Sequence, residues 1–186
     1  MQAPPRMWHS KTRFKPWNEW NIDMAIRSIV TYPHVALSTH CEPVTDFGPA
    51  LAELEEDLLD TMRAAPGVGI TAAHIGVLKR IFVLELTHGA VRTYVNAEIT
   101  ELSGETMRHV EGSVSMPGFT EEVERPSRVK LRYQDVSGAW HDEQSDGFHA
   151  ICIQHEIDQL NGMFWLKRLS KLKRDRLIRK WEKAQR

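Results

Sequence analysis

His155, Glu156 and Gln159 stand at the spacing of a helical metal motif, H-E-x-x-H, whose second histidine is written as glutamine. On a helix, positions i and i+4 share a face. Residues 155 and 159 therefore reach toward one ion, while Glu156 addresses the metal-bound water as a general base. An imidazole is a good ligand for such an ion, and a neutral amide carbonyl is a weak one. The segment points to metal-assisted hydrolysis with one of its two helical ligands compromised.

Two further segments could complete a site. Gly67-Val68-Gly69-Ile70-Thr71-Ala72-Ala73-His74-Ile75-Gly76 combines glycines, which let the backbone approach a ligand closely, with small residues that leave room beside it. Glu111-Gly112-Ser113-Val114-Ser115-Met116-Pro117-Gly118 is followed by Glu122, Arg125 and Pro126. A glycine pair alone carries little information. The order and separation of all three segments carry more.

The elements that must position these residues are of mixed type. Leu51, Leu54, Leu58, Leu59 and Met62 recur at helical spacing, with Thr45 or Asp46 as N-cap candidates and Pro66 beyond the end. Arg80 to Leu86, Thr93 to Ile99 and Val129 to Tyr133 read as strands, with Gly89, Gly104 and Gly138 in the turns between them. Residues 147–161 form the motif helix, apolar at Phe148, Ile151, Cys152 and Leu160. A closing helix places Leu169, Leu172, Ile178 and Trp181 on one side and its basic residues elsewhere. The pattern is a mixed α and β order in which the H-E-x-x-Q helix is followed by a basic C-terminal helix.

Composition bounds the function classes. The 186 residues suffice for one domain with a substantial core, and a formal charge of -1 argues against wholesale coating of nucleic acid. The charge is uneven, however. Residues 167–186 hold ten Lys or Arg against Asp175 and Glu182, a local +8 that leaves -9 on the remainder. Cys41 and Cys152 make neither a disulfide framework nor a zinc pattern, which fits a reducing cytoplasm. The first twenty residues carry Arg6, Lys11, Arg13 and Lys15 without an apolar run, unlike a secretory signal, and no segment approaches membrane-spanning length.

Taken together, the three segments resemble the signatures G-x-G-x-A-A-x-Q, E-G-C-L-S and H-E-x-D-H of the peptide deformylase family, over roughly residues 25–186. Tyr32-Pro33, Lys79-Arg80-Ile81 and Asn96 share the family's texture. The resemblance implies a compact α+β domain, with mixed or antiparallel strands around the central H-E-x-x-Q helix and a basic C-terminal helix, that removes the formyl group from the N-terminal methionine of nascent chains. It also implies a divalent ion, commonly iron and replaceable by zinc or nickel, held by a cysteine and two histidines. His155 matches the first histidine ligand, Glu156 the catalytic glutamate, and Gly112 the turn glycine; Asp158 would support either the helix or the groups behind the ligands. Gly69, Val114 and Arg125 would shape the substrate groove.

The departures fall on the chemistry. Ser113 stands at the cysteine ligand, Gln159 at the second histidine, and His74 at the glutamine that helps hold the developing oxyanion. A cysteine titrates near pKa ~8.5 and becomes a thiolate beside a cation, whereas a serine hydroxyl stays protonated at neutral pH. Losing two strong ligands removes much of the roughly 10–16 kcal/mol that closed zinc sites supply. No tightly bound ion is therefore expected.

Four functional readings follow. The favoured one is a catalytically silent protein that binds a formylated or N-blocked chain end, or a small amide, in the former active-site pocket. A second is a metal-independent amide hydrolase or acyl transferase with Ser113 as nucleophile and His155 as base, assisted by Glu156 or His74. A third relocates the metal to His74 and His155, with Glu156, Gln159 or Ser113 completing the shell. The fourth is an ordinary deformylase. The resemblance further implies that the basic C-terminal helix contacts the ribosome. Residues 1–24 form an extension bearing Trp8, Trp17 and Trp20, while His109 and His149 read as surface or packing residues. Oligomeric state leaves no mark in the sequence.

Overall fold

The computed structural model describes residues 26–186, so the tryptophan-bearing extension expected over residues 1–24 lies outside the described residues. Helix α1 (Pro49–Ala64) is followed by strands β1 (Gly69–Thr71), β2 (Ile81–Glu85), β3 (Val91–Leu102), β4 (Thr106–Gly112), β5 (Thr120–Pro126), β6 (Arg128–Gln134) and β7 (Trp140–Asp146). Helices α2 (Gly147–Leu160) and α3 (Lys171–Ala184) close the chain, and short 3-10 turns occupy Val35–Ser38, Ala72–Ile75 and Trp165–Arg168. Five strands form an antiparallel sheet in the order β1-β2-β3-β6-β7, and β4 and β5 pair as a separate hairpin.

The sheet lies between two helices because its central strands are apolar on both faces. Successive side chains of a strand point to opposite sides. On β2, Phe82 and Leu84 join Tyr94 and Ala97 of β3 against Ile153 and Ile157 of α2, while Ile81 and Val83 join Leu58 and Met62 of α1. Helix α2 is consequently buried almost all round. Of its buried polar residues, Gln154, Asp158 and Gln159 find partners there, whereas Glu156 Oε2 has none among the described residues. Gln154 illustrates the point, donating to the Pro126 carbonyl and to the Ala150 carbonyl, each at 2.9 Å.

Three expectations need correction. The N-cap of α1 is Gly48, with Pro49 at the first helical position, where its missing N–H costs nothing. Asp46 instead accepts the Gly48 N–H at 2.9 Å. Strands β4, β5 and β7 had no counterpart in the sequence reading, because Thr106–Gly112, Thr120–Pro126 and Trp140–Asp146 are mostly polar, with few β-branched residues. They hold their places by pairing, and on the hairpin Arg108 and Thr106 both donate to Glu124. In α3 the apolar side is Leu177 and Trp181, and Leu172 is 78% exposed. Five residues carry the helix about 140° round, so Leu172 and Leu177 cannot share a face.

Candidate functional site

A cavity of about 640 Å³ opens between the 65–69 loop, the end of β4 and the outer side of α2. Ile151, Cys152, His155 and Glu156 form its helical wall, and Gly67, Gly69, Val114, Ser113 and His74 lie opposite. The three sequence segments thus converge on one space. His109 and Phe148 pack at its edge with tilted rings, centroids 4.7 Å apart and planes at 32°. His109 is therefore a cavity residue, which its reading as surface or packing had missed.

Gly69 is required by the position of Glu156. A Cβ at residue 69 would collide with Glu156 Oε1 and lie 2.7 Å from Leu84 Cδ2. Glu156 is buried, and among the described residues its Oε2 has no hydrogen-bond partner. Burial pushes its carboxyl up to about 7, opposed by the neighbouring His155. A proton acceptor poised near neutrality is what general-base chemistry needs.

His155 is oriented from behind. Its Nδ1 stands 2.8 Å from Glu111 Oε2, which leaves Nε2 as the other ring nitrogen. Burial favours the neutral ring, but the Glu111 hydrogen bond and the charges of Glu156 and Glu111 prevail and raise its pKa. Glu111 is itself gripped by Arg125, whose Nε and Nη2 donate to Oε1 and Oε2 at 2.6 and 2.9 Å. Although burial disfavours its charge, these bonds from His155 and Arg125 bring the Glu111 carboxyl down to about 2. Arg125 Nη1 continues to Asp158 Oδ2 at 2.7 Å, and Arg168 closes the series on Asp158 with bonds of 2.8 and 2.5 Å.

Two predicted site residues lie elsewhere. Arg125 is only 2% exposed and sits behind the wall, where it braces Glu111 and Asp158 instead of shaping the groove. Gln159 is also outside the lining; its Nε2 donates to the Leu37 carbonyl at 2.9 Å. Glu111 had been quoted in the sequence without a role. One signal was available, since in extended chain residues 111 and 113 point to the same side.

His74 and Ser113 meet directly, with Nε2 and Oγ 3.4 Å apart. The serine expected to pair with His155 therefore pairs with the other imidazole. Burial and then the charge of His155 depress the His74 pKa to about 3, so the ring is neutral at physiological pH. Its Nδ1 accepts the Thr71 backbone N–H at 3.1 Å, a contact across the start of the Ala72–Ile75 turn.

The donors do not fit the ion that the resemblance implied. Among the described residues, no group of three His, Cys, Asp or Glu side chains converges to hold a metal. Ser113 offers a protonated hydroxyl, and the Gln159 amide is turned to Leu37. Only His155 keeps a strong donor nitrogen of the expected kind. Cys152 lines the cavity, but burial lifts its thiol to about 12, and Cys41 is buried and free as well.

Comparison with known proteins agrees with this architecture. The family model for polypeptide deformylase matches residues 26–175. A peptide deformylase-like protein of Agrobacterium fabrum is 71% identical over 161 residues, covering 87% of this chain and 98% of its own. A peptide deformylase of Phenylobacterium zucineum is 44% identical over 164 residues, covering 86% and 97%. Among solved structures, the Ehrlichia chaffeensis peptide deformylase in complex with actinonin superposes with a TM-score of 0.83 at 37% identity, covering 88% of this chain and 99% of that one. With its fold, its three converging segments and these relatives in agreement, the chain belongs to the polypeptide deformylase family.

Proposed function

We propose that this family member binds a formylated or otherwise N-blocked chain end, or a small amide, in the cavity without ordinary metal-dependent deformylation. One observation carries the reading: the Gln159 amide is committed to the Leu37 carbonyl outside the cavity, while a hydroxyl replaces the thiolate at Ser113. Two of the three positions that would hold the ion are thereby without a strong ligand. The pocket is retained all the same, with its glycine floor at Gly69 and its oriented His155. Fold conserves where a ligand sits more readily than what is done to it.

A second reading, slow metal-independent amide hydrolysis, draws on Glu156, which burial holds near neutrality beside the cavity. A water activated by that carboxylate would replace the metal-bound hydroxide. Ser113 is a weaker nucleophile candidate than the sequence suggested, because its imidazole neighbour is the poorly basic His74.

The free cysteines fit a cytoplasmic protein, and among the described residues no helix is long and apolar enough to cross a membrane. The exposed Arg179, Lys180 and Lys183 of α3 have no ion pair among the described residues and support docking on ribosomal RNA.

The deciding experiment measures metal content of protein purified without chelators, together with binding and turnover of a formyl-methionyl peptide. Binding without rapid turnover in metal-free protein is the expected result. Stoichiometric iron or zinc with rapid deformylation would overturn the reading.

A further inference from the structure

We infer that Arg168, on the surface turn before α3, is a positioning residue for His155, so that the C-terminal part of the chain sets how firmly the cavity holds its ligand. The effect on ligand affinity rests on the chain-end reading above. The effect on His155 itself does not.

Two carboxylates and two guanidinium groups alternate along one line of hydrogen bonds. Glu111 Oε2 stands 2.8 Å from His155 Nδ1, and an ionised carboxylate only accepts, so the ring nitrogen carries the proton. Arg125 gives Nε and Nη2 to Glu111 and Nη1 to Asp158. Arg168 in turn gives Nε to Asp158 Oδ2 at 2.8 Å and Nη2 to Oδ1 at 2.5 Å. The Arg125 side chain is 2% exposed, whereas that of Arg168 is 42% exposed. The line therefore has one end in the cavity and the other at the surface, and it joins β4, β5, α2 and the Trp165–Arg168 turn.

The balance of charge makes the outer member matter. Without Arg168, two buried carboxylates share one guanidinium. Asp158 keeps a single hydrogen bond among the described residues, from Arg125 Nη1, and unpaired carboxylate oxygens are costly where water is excluded. The fork of a guanidinium matches one carboxylate at a time. Asp158 then competes with Glu111 for Arg125, and a loosened Glu111 no longer fixes the imidazole. By supplying Asp158 with a fork of its own, Arg168 removes that competition. Arg168 does not line the cavity, so its influence passes through Asp158, Arg125 and Glu111.

The test has two readouts, one of which needs no ligand. Proton spectra of ¹⁵N-histidine-labelled full chain should show the His155 Nδ1–H at low field and slow in exchange, with His155→Gln identifying the signal. Arg168→Ala should broaden that signal and weaken calorimetric binding of formyl-Met-Ala-Ser by about three- to tenfold. Guanidinium chloride at sub-denaturing concentration should restore both, since the vacated place is open to solvent. Arg168→Lys, which returns the charge without the fork, should recover part of the loss. Leu177→Ala loosens the packing of α3 without touching the relay and should change neither readout.

A wild-type signal in Arg168→Ala would overturn the inference. So would unchanged affinity despite a lost signal, recovery by neither Lys nor guanidinium, or equal losses in Leu177→Ala, which would mark a general loosening of the fold. If the alanine variant does not fold, Arg168→Gln takes its place, and a wild-type spectrum there would overturn the inference equally. Failure of the wild-type chain to bind any blocked peptide removes the chain-end reading, while the spectra still decide the role of Arg168.

Discussion

Glu111 and His155 form the central relationship of the site: Oε2 and Nδ1 lie 2.8 Å apart, and Arg125 holds the same carboxylate with two hydrogen bonds from the opposite side. The imidazole is thereby fixed in ring orientation by a carboxylate of the cavity wall that Arg125, outside the lining, holds in place. Metal-binding histidines commonly carry such a carboxylate behind them. Here the same support stands behind His155.

Replacing Glu111 with Gln should leave Arg125 buried with its charge only partly compensated, and should cost about 3–5 kcal/mol. The penalty depends on pH in a defined sense. A carboxyl brought down to about 2 in the folded state contributes stability that is fully present above its ordinary value of 4.5 and is lost as pH falls through 2. Urea unfolding of wild type and Glu111→Gln should therefore converge between pH 4.5 and 2.

Glu156 predicts the opposite slope. Its carboxyl is raised to about 7 by burial, so the protonated form is favoured by folding, and the associated stability is lost as pH rises from 4.5 through 7. Glu156→Gln should abolish that loss. Denaturation midpoints of the two proteins, compared at pH 4.5 and pH 8, should show the variant gaining relative to wild type at the higher pH; a constant difference would contradict the assignment.

At Gly69 even one methyl group should be felt. Gly69→Ala places a Cβ against Glu156 Oε1 and 2.7 Å from Leu84 Cδ2, overpacking that typically costs about 1–3 kcal/mol. Thermal unfolding reads the stability loss. Displacement of Glu156 would show as a changed affinity for formylated peptide.

Restoring the absent ligands tests the site directly. Ser113→Cys together with Gln159→His should recover uptake of one zinc or cobalt ion per chain, measured by elemental analysis and by cobalt absorption. Either change alone should bind far less, because closed sites need their ligands together. No uptake by the folded double variant would show that the backbone no longer brings residues 113, 155 and 159 together.

On α3, reversing charge at Arg179, Lys180 and Lys183 should weaken co-sedimentation with ribosomes and flatten its salt dependence. Lys173 and Arg176 are poorer targets, since both pair with Glu121 and their loss would also disturb the hairpin. Unchanged sedimentation would remove the docking proposal without touching the pocket.

Much of the fold was legible because its signals were apolar and periodic. Leu58 and Met62 marked α1, and the β-branched run through Ile81 and Val83 marked β2. The hairpin was not legible, because Thr106–Gly112 and Thr120–Pro126 are held by mutual pairing and cross-strand charge, which a single strand does not reveal. Within the site, His74, Ser113, His155 and Glu156 could be named from their segments, and the cavity brings them together. The behaviour of Gln159 and Arg125 could not. Both depend on partners far away in sequence, Leu37 for the amide and Glu111 with Asp158 for the guanidinium.

The Gln159 contact with Leu37 also ties residue 159 to the stability of the fold. Leu37 is 1% exposed, and the glutamine amide is the partner its carbonyl has in this fold. Gln159→Leu would give up that bond and leave a buried carbonyl unpaired at about 1–3 kcal/mol, whereas a histidine there retains a ring N–H that can still donate. Residue 159 thus answers to folding as well as to the site, and an apolar replacement there is penalised whatever the cavity binds.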